Sequence, residues 1–463
     1  MTMSYSEKVR ELTGNERKFL WSPVANVNVT ARVLGKIDEN DFRNAIAKLE
    51  KRHPLIRTKV RYQNDRAWFV NGDVPEIPVR FVKRNDDKQW IDEVMGEYKT
   101  PFNPFTGPLI RFSVVLSEEV SEIIIYCQHS ICDGTALVYV MRDLLEIAAN
   151  PDMAIELLPL PAPLSPENLP EGSDMSGLKA KIRDAAMNSI NKKWRQNKIT
   201  FDQEDFENIF SAYWQKHEYR IIFLEMEAQE TNRLVQACRE NNVTVNSALC
   251  AAFLGAYKEL NGSFKGNKRS VAVPVDLRRR MKPEAGDVLS LYVGSILCKY
   301  DYHLNESFWD NTKRFHQLIL KDMEKTNLFE IFHNLERMDH TMLDCMVSFA
   351  PTAKYVTPEY SRFQKLNSFY HDKKNMAIKM SKKFAGALPG MVMTNLGRAN
   401  IKDTYGRLKI DKLFFLPSTG EDFPLALGAV TINDKMVVTV NYVEKSKESM
   451  LLQVCDKAKR QLQ

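Results

Sequence analysis

Gln128-His129-Ser130-Ile131-Cys132-Asp133-Gly134 is the stretch where a predicted buried strand gives way to a predicted helix. The preceding run, Ile123–Cys127, is continuously apolar and rich in β-branched side chains, which is typical of a strand covered on both faces. After the stretch, apolar residues recur at the spacing that places one face of a helix on a core. They are Leu137, Val140, Met141, Leu144, Leu145 and Ala148. The stretch is therefore predicted to be a short strand-to-helix loop, which suits a catalytic histidine.

Several roles remain open for this loop on the residues alone. Cys127, His129 and Cys132 suggest a metal site, but a structural zinc needs four ligands and no second Cys/His pair has ligand spacing. A Cys132 nucleophile paired with His129 is disfavoured, because residues three apart around a tight loop seldom face each other. Asp133 is a good N-cap for the helix, and a histidine at a strand end is often a core residue. A structural role and a catalytic role are both compatible with the motif.

Length and composition indicate a globular protein with two sizeable cores. The chain has 463 residues, of which 44% are hydrophobic and 27% charged. Its net charge of +6 implies no strong field for nucleic acid. The N-terminus has no apolar core for a signal peptide, and no apolar run is long enough for a membrane span. Seven scattered cysteines are typical of reduced thiols, so a cytoplasmic protein is predicted.

The clearest boundary in the sequence is the proline-rich stretch from Pro151 to Gly172, which prevents regular helix or central strand. A basic helical stretch follows, and we interpret it first as a solvated helix face and alternatively as a contact for a phosphopantetheine phosphate or an acidic carrier protein. Tyr219–Leu224 then restarts the strand and helix order of the first half. We predict lobes over residues 1–172 and 173–463. The basic residues are Lys179, Lys181, Arg183, Lys192, Lys193 and Arg195.

Further segments extend a family resemblance over nearly the whole chain. They are Leu34–Asp38, the helix after it, Arg52–Thr58, Pro101–Arg111, Val243–Leu249, Val271–Arg278 and Met393–Gly397. Together with the histidine loop, their order and spacing resemble the chloramphenicol acetyltransferase-like superfamily. The resemblance is to its two-lobed members, which are peptide-synthetase condensation domains, polyketide-associated acyltransferases and alcohol O-acetyltransferases. It implies an α/β fold of two sandwich lobes that form a V, with a through-going tunnel between them.

The same resemblance implies roles for individual residues of the loop. His129 is expected to be the general base, and Asp133 to point away from substrate and pair with Arg278 of the second lobe. Gly134 is expected to permit a close turn or the close approach of substrate, although a plain helix-start glycine is an alternative. Gln128 departs from the condensation domains, which usually carry a histidine there. The terminal motif of the plant members is also absent, and the nearest stretch is 420–424.

Two residues of the second half, Thr394 and Asn395, are expected from the resemblance to line the acceptor side or to donate to the oxyanion. A polar strand end is the alternative. His53 is interpreted as a packing residue and Asp276 as a structural one. No metal and no bound cofactor are expected.

The implied reaction transfers an acyl group from a thioester to a small-molecule alcohol or amine, without an acyl-enzyme. Acyl-CoA is the favoured donor, because no carrier or adenylation module is visible in the sequence. The alternatives are a free-standing condensation-type enzyme that takes acyl groups from an acyl or peptidyl carrier protein, and an inactive descendant that binds a partner or ligand. CoA or phosphopantetheine thioester would enter as a co-substrate.

Overall fold

A computed structural model describes residues 8–165, 168–170, 177–323, 326–356 and 363–463. We number strands and helices in chain order. The strands are β1 Lys8–Glu11, β2 Asn26–Leu34, β3 Lys59–Gln63, β4 Arg66–Val70, β5 Val79–Lys83, β6 Ile110–Leu116, β7 Val120–Gln128, β8 Arg220–Met226, β9 Ser270–Asp276, β10 Val293–Lys299, β11 Met391–Arg398, β12 Thr404–Tyr405, β13 Leu408–Leu416, β14 Leu425–Ile432 and β15 Lys435–Tyr442.

The helices complete the element order. They are α1 Gly14–Leu20, α2 Glu39–Arg52, α3 Gln89–Glu97, α4 Gly134–Ala149, α5 Leu178–Gln196, α6 Gln203–Lys216, α7 Ala228–Glu240, α8 Val245–Asn261, α9 Phe308–Met323, α10 Glu330–Arg337, α11 His340–Asp344, α12 Ala350–Thr352, α13 Gln364–His371, α14 Met376–Ala385 and α15 Glu448–Leu462. None of the helices in the described ranges is both long and apolar enough to cross a membrane.

The first lobe is built on a mixed six-stranded sheet in the order β12-β13-β2-β7-β6-β5. Strand β7 lies inside this sheet and is buried at every residue after the first, which confirms the strand covered on both faces. Helix α4 begins at Gly134 behind the N-cap Asp133, as predicted, and packs against α2. The helix predicted after Leu34–Asp38 is α2, and its apolar face is buried; the residues of this face are Phe42, Ala45, Ile46 and Leu49.

The second lobe repeats the layered arrangement with the sheet order β10-β9-β11-β14-β15-β8. Helix α8 packs against α9 and α15 beside this sheet. A small third sheet, in the order β1-β4-β3, is not hydrogen-bonded to either of them, and its Val60, Ala67 and Phe69 belong to the first-lobe core. The prediction of two α/β lobes is therefore confirmed, whereas the through-going tunnel between them stays a prediction.

The second half of the sequence contributes two strands to the first-lobe sheet, which the predicted division did not include. β12 and β13 come from the second half of the sequence but hydrogen-bond into the first-lobe sheet, where β13 pairs with β2. The Thr439 hydroxyl of β15 donates to the Phe415 carbonyl of β13 at 2.6 Å, so the two sheets touch directly at this crossing. A Cβ at position 428 on β14 would collide with the same Phe415 carbonyl. Glycine at this position therefore allows β13 to approach β14 closely. The second half thus completes the sheet that carries His129.

The predicted linker is only partly described. Residues 151–165 and 168–170 form no helix or strand beyond a single helical turn, in agreement with their prolines. Pro166, Gly172 and the predicted boundary between residues 172 and 173 lie outside the described residues, so that boundary stays a prediction. The basic stretch beyond it forms α5, whose Lys181, Lys192 and Lys193 are exposed.

Candidate active site

His129 follows β7 directly and is held by its own backbone and by the loop. Its N–H donates to the Ala25 carbonyl at 2.8 Å, which extends the pairing of β7 with β2 by one residue. Its Nδ1 lies 2.8 Å from the Cys132 carbonyl oxygen. Because a carbonyl can only accept, Nδ1 carries the hydrogen and Nε2 keeps its lone pair. The half-buried imidazole therefore presents an acceptor nitrogen in a fixed orientation.

The environment keeps this imidazole uncharged. The pKa of His129 is lowered to about 4, mainly by burial and to a smaller extent by the nearby Lys18 ammonium. The Cys132 carbonyl and Asp133 act in the opposite direction. The Phe19 ring stacks on the imidazole with ring centres 4.1 Å apart and planes 26° apart. At neutral pH the ring is thus a neutral acceptor against an aromatic wall.

Gln128 ties the loop to helix α1. Its Nε2 donates to the Phe19 carbonyl at 2.7 Å, and its Oε1 accepts from the Ser130 N–H at 2.6 Å. The side chain is buried, so both bonds satisfy polar groups that water does not reach. Gln128, which replaces the histidine usual in condensation domains, therefore connects Phe19 to the histidine loop by two hydrogen bonds.

Asp133 caps α4 and also bridges the two lobes. Oδ1 accepts from the Ala136 N–H at 2.8 Å, which is the N-cap bond. Oδ2 accepts from Arg278 Nη1 at 2.9 Å and from the Tyr292 N–H at 2.8 Å. One carboxylate oxygen therefore holds the start of α4, and the other is bonded to two groups of the second lobe.

Arg278 is slightly more buried than Asp133 and donates to several acceptors. Its Nη1 also lies 3.2 Å from the Asp276 carboxylate, and its Nη2 donates to the Ser290 carbonyl at 3.2 Å. Burial alone would lower the pKa of Arg278, but the charges of Asp133 and Asp276 outweigh burial and raise it. The guanidinium stays charged and links β9 to the start of α4.

Gly134 is the first residue of α4, and packing explains the lack of a side chain. A Cβ at this position would lie 2.5 Å from a ring carbon of Phe415 and 2.8 Å from Leu396 Cδ2. Its backbone is not in the left-handed region. The expected close turn is therefore not the reason for glycine here; the reason is the close approach of β11 and β13 to the helix start.

Thr394 and Asn395 lie on β11 beside a cavity of about 450 Å³. Asp133, Gly134 and Arg278 line the same cavity, so the structure brings five of the six predicted site residues together there. His129 is not among the described residues that line it. The Asn395 Oδ1 accepts from the Gly397 N–H at 2.8 Å, which leaves its amide N–H₂ group as the available donor.

Three further arginines give this cavity a cationic rim. Arg279, Arg280 and Arg398 line it and are exposed. Arg398 Nη2 lies 2.5 Å from Asp434, whereas neither Arg279 nor Arg280 has an ion pair within the described ranges. Of the three consecutive arginines 278–280, only Arg278 was predicted as a site residue. The run itself was a sequence signal for this rim.

The alternative chemistries weighed for the loop have little support in its geometry. Cys132 is fully buried, and burial raises the pKa of its thiol well above the usual value, so it is not a thiolate nucleophile. In the part of the chain that the structure describes, no group of three or more His, Cys, Asp or Glu side chains is arranged to hold a metal ion. His53 is buried and bonds to Asp143 at 3.0 Å, a packing position between α2 and α4.

Two residues beside the histidine were missed by the sequence interpretation. Phe19 stacks on His129, and the Nζ of Lys18 lies 4.7 Å from the centre of the Phe19 ring. Both belong to α1, whose N-terminus has a capping box of Thr13 and Glu16 that the sequence displays. That signal predicts a helix, but it carries no information about which strand end the helix faces.

Comparisons with known proteins agree with this architecture. The family model "Condensation domain" matches residues 22–153, and the model "Phthiocerol/phthiodiolone dimycocerosyl transferase C-terminus" matches residues 217–294. Each match covers less than half of the chain, and together they make the chain similar to condensation-type acyltransferases. The first match ends within the first residues of the proline-rich stretch and the second begins after it, so one match lies on each lobe.

The curated relatives that the chain matches are much longer proteins. The chain is 22% identical over 308 residues to bacitracin synthase 1 of Bacillus licheniformis, and this alignment covers 64% of the chain. It is 23% identical over 281 residues to a nonribosomal peptide synthetase of Alternaria alternata, which covers 58% of the chain. The chain spans 5% of the length of each of these two relatives.

Solved structures show the same fold along nearly the entire chain. Polyketide synthase associated protein 5 from Mycobacterium tuberculosis has a TM-score of 0.61 and 14% identity, with 98% of each chain covered. Trichothecene 15-O-acetyltransferase from Fusarium sporotrichioides has a TM-score of 0.64 and 12% identity, with 98% of this chain and 94% of that chain covered. At these identities the likeness establishes the two-lobed fold and nothing beyond it.

Proposed function

We propose that this acyltransferase moves an acyl group from acyl-CoA to a hydroxyl or amine, with His129 as general base and without an acyl-enzyme. The observation that carries the proposal is the tautomer of His129. The bond from Nδ1–H to the Cys132 carbonyl leaves Nε2 as the proton acceptor, on a half-buried ring that is neutral at pH 7.

The proposed reaction balances with no group beyond the two substrates. Nε2 of His129 removes the acceptor proton as the acceptor oxygen or nitrogen bonds to the thioester carbonyl carbon. The tetrahedral intermediate then breaks its carbon–sulfur bond, and the leaving thiolate takes the proton from the imidazolium. Asn395, whose amide N–H₂ group is available, is the candidate donor for the oxyanion. Asp133 and Arg278 act through the loop by positioning it.

The choice of CoA as donor is supported by the cationic rim. The cavity of about 450 Å³ is lined by Arg279, Arg280 and Arg398, and guanidinium groups are the preferred partners of phosphate oxygens. A carrier-bound phosphopantetheine has one phosphodiester, whereas CoA has three phosphate groups. Arg279 and Arg280, which have no ion pair within the described ranges, supply two positive charges, whereas one phosphodiester carries a single negative charge. A free-standing condensation reaction with a carrier protein is the second candidate, favoured by the exposed lysines of α5.

The donor is tested by supplying acetyl-CoA and a longer acyl-CoA in parallel with the same acyl groups on a carrier protein. Acceptor-dependent release of free thiol from CoA alone supports the proposal. Transfer from the carrier protein with none from CoA contradicts it. No transfer from either donor to a panel of alcohols and amines favours the inactive alternative.

The rim is tested in the same assay by Arg279→Gln and Arg280→Gln. Each loss of a charged hydrogen bond of about 1.4 kcal/mol raises the KM for acyl-CoA about tenfold. The matched control is Arg233→Gln, which removes an exposed arginine of α7 that does not line the cavity. An unchanged KM in both rim variants contradicts the assignment of the cavity to the donor.

A further inference from the structure

Lys18 is a cation beside His129 for which the described chain offers no anion. Its Nζ lies 4.7 Å from the centre of the Phe19 ring, and that ring stacks on the imidazole at 4.1 Å. These two distances place the ammonium within about 9 Å of the imidazole centre. Lys18 is half-buried, so part of the residue is still reached by solvent.

The charged neighbours of Lys18 on α1 are already paired with other groups. Arg17 donates to both carboxylate oxygens of Asp344, at 2.9 and 2.8 Å. Glu16 pairs with Arg10 at 2.5 Å. Within the described ranges, Lys18 itself has no hydrogen bond or ion pair. Helix α1 therefore presents one uncompensated charge, and it presents that charge beside the candidate base.

The state of this lysine agrees with a binding role. Burial lowers the pKa of Lys18 to about 8, and no carboxylate offsets the effect. At pH 7 the side chain is still mainly an ammonium, so a partly desolvated charge stands unpaired until a ligand arrives. A desolvated charge without a partner is unfavourable, and a bound anion would remove that cost.

We propose that Lys18 binds the carboxylate of the acceptor, so that the acceptors of this enzyme are hydroxy acids or amino acids whose nucleophile lies at His129. The inference rests on the proposed function and deepens it by naming the acceptor class. The phosphates of the donor cannot fill this role, because the whole pantetheine arm separates them from the thioester. A carboxylate a few bonds from the nucleophile fits the separation of Nζ from the imidazole.

The acceptor carboxylate would also assist the base. Lys18 is one of the groups that lower the pKa of His129, because a neighbouring cation disfavours the imidazolium. A carboxylate bound to Lys18 neutralises that cation at the moment when His129 takes a proton. A neutral ester of the same acceptor leaves the repulsion in place. The acid is thus favoured over its ester in two ways, by binding to Lys18 and by making His129 a stronger base.

The first test reads Lys18 directly and does not depend on turnover. The folded full chain is pulsed with acetic anhydride at pH 8, and acetylation of Lys18 is measured by peptide mass spectrometry. The probes are lactate, 3-hydroxybutyrate, 4-hydroxybenzoate and alanine, each beside its methyl ester. We expect at least one acid to protect Lys18 while its ester does not. Exposed Lys36 is the internal reference, because its side chain is 58% exposed and distant from His129 in sequence. Equal labelling with every acid and its ester overturns the proposal.

The second test separates a specificity role from a general one. Lys18→Met is compared with wild type and with the matched control Lys36→Met. Loss of one charge-assisted contact raises the KM for the acid about 10- to 100-fold and leaves kcat/KM for its ester within about threefold. Lys18→Arg should restore part of the affinity for the acid. An equal loss for acid and ester overturns the proposal, since Lys18 would then act on the transition state of every acceptor. Absence of turnover in wild type would instead count against the proposed function, while the labelling test still decides the role of Lys18.

Discussion

The ion pair of Asp133 and Arg278 makes a quantitative prediction about how the two lobes hold the histidine loop. Asp133→Asn removes the charge but keeps an oxygen that can cap α4 through the Ala136 N–H. Arg278, which is 3% exposed, then keeps only Asp276, whose side chain is 44% exposed. Breaking a buried pair from one side costs about 3–5 kcal/mol, and the remaining carboxylate places the expected loss near the lower end, at about 3 kcal/mol. Asp133→Ala also removes the cap and should cost about 1 kcal/mol more.

The converse variant should be milder. Arg278→Met leaves the Asp133 carboxylate with two backbone donors, the Ala136 and Tyr292 N–H groups, so we expect a loss of about 2 kcal/mol. In the double variant Asp133→Asn/Arg278→Met neither charge is left unpaired, and the double-mutant cycle should give a coupling of about 1–3 kcal/mol. The assay is urea denaturation followed by intrinsic fluorescence. The first transition is compared between variants, because a chain with two lobes need not unfold in one step. A coupling below about 0.5 kcal/mol would refute the claim that this pair braces the loop.

Three further predictions concern the same loop. Gly134→Ala places a Cβ against the Phe415 ring and should cost about 1–3 kcal/mol in unfolding free energy, with partial recovery when Phe415→Leu is added; no loss of thermal stability in the single variant contradicts the packing argument. Burial lowers the pKa of His129 to about 4, so kcat/KM should stay flat from pH 7 down to about pH 5 and fall only as His129 becomes protonated near pH 4. A decrease of kcat/KM that is centred near pH 6.5 would argue against the buried neutral base. Gln128→Leu leaves the Ser130 N–H without its acceptor, so hydrogen exchange at that amide should accelerate, and unchanged protection would exclude the connecting role of Gln128.

Much of the first lobe follows from local pattern. The apolar run before His129 and the helical spacing after Gly134 are sufficient to place β7 and α4, because burial imposes those periods on a chain whatever its partners are. The cap role of Asp133 follows from its position directly before the helix. The pairing of Asp133 with Arg278, 145 residues apart in sequence, came from the family resemblance and not from any local signal.

What the sequence could not predict depends on contacts between distant segments. The transfer of β12 and β13 to the first-lobe sheet is a matter of strand pairing, and an apolar strand carries no mark of which sheet it joins. The role of Gly134 also depends on distant segments. It was predicted to permit a close turn or the approach of substrate, whereas Phe415 and Leu396 exclude a side chain there. Phe19 and Lys18 were missed because α1 lies more than a hundred residues before the loop that it covers.

The central claim is that His129 is the base of the acyl transfer, and it is tested most directly by the rate of His129→Ala with an acyl-CoA and an accepted alcohol or amine. The variant should keep the fold, as judged by its circular dichroism spectrum and melting temperature, since the hydrogen bond of the imidazole goes to the Cys132 carbonyl within the same loop. The account predicts that kcat/KM falls by roughly 10²–10⁴-fold, which is the contribution of a positioned general base. A folded variant that transfers the acyl group at the wild-type rate would contradict it.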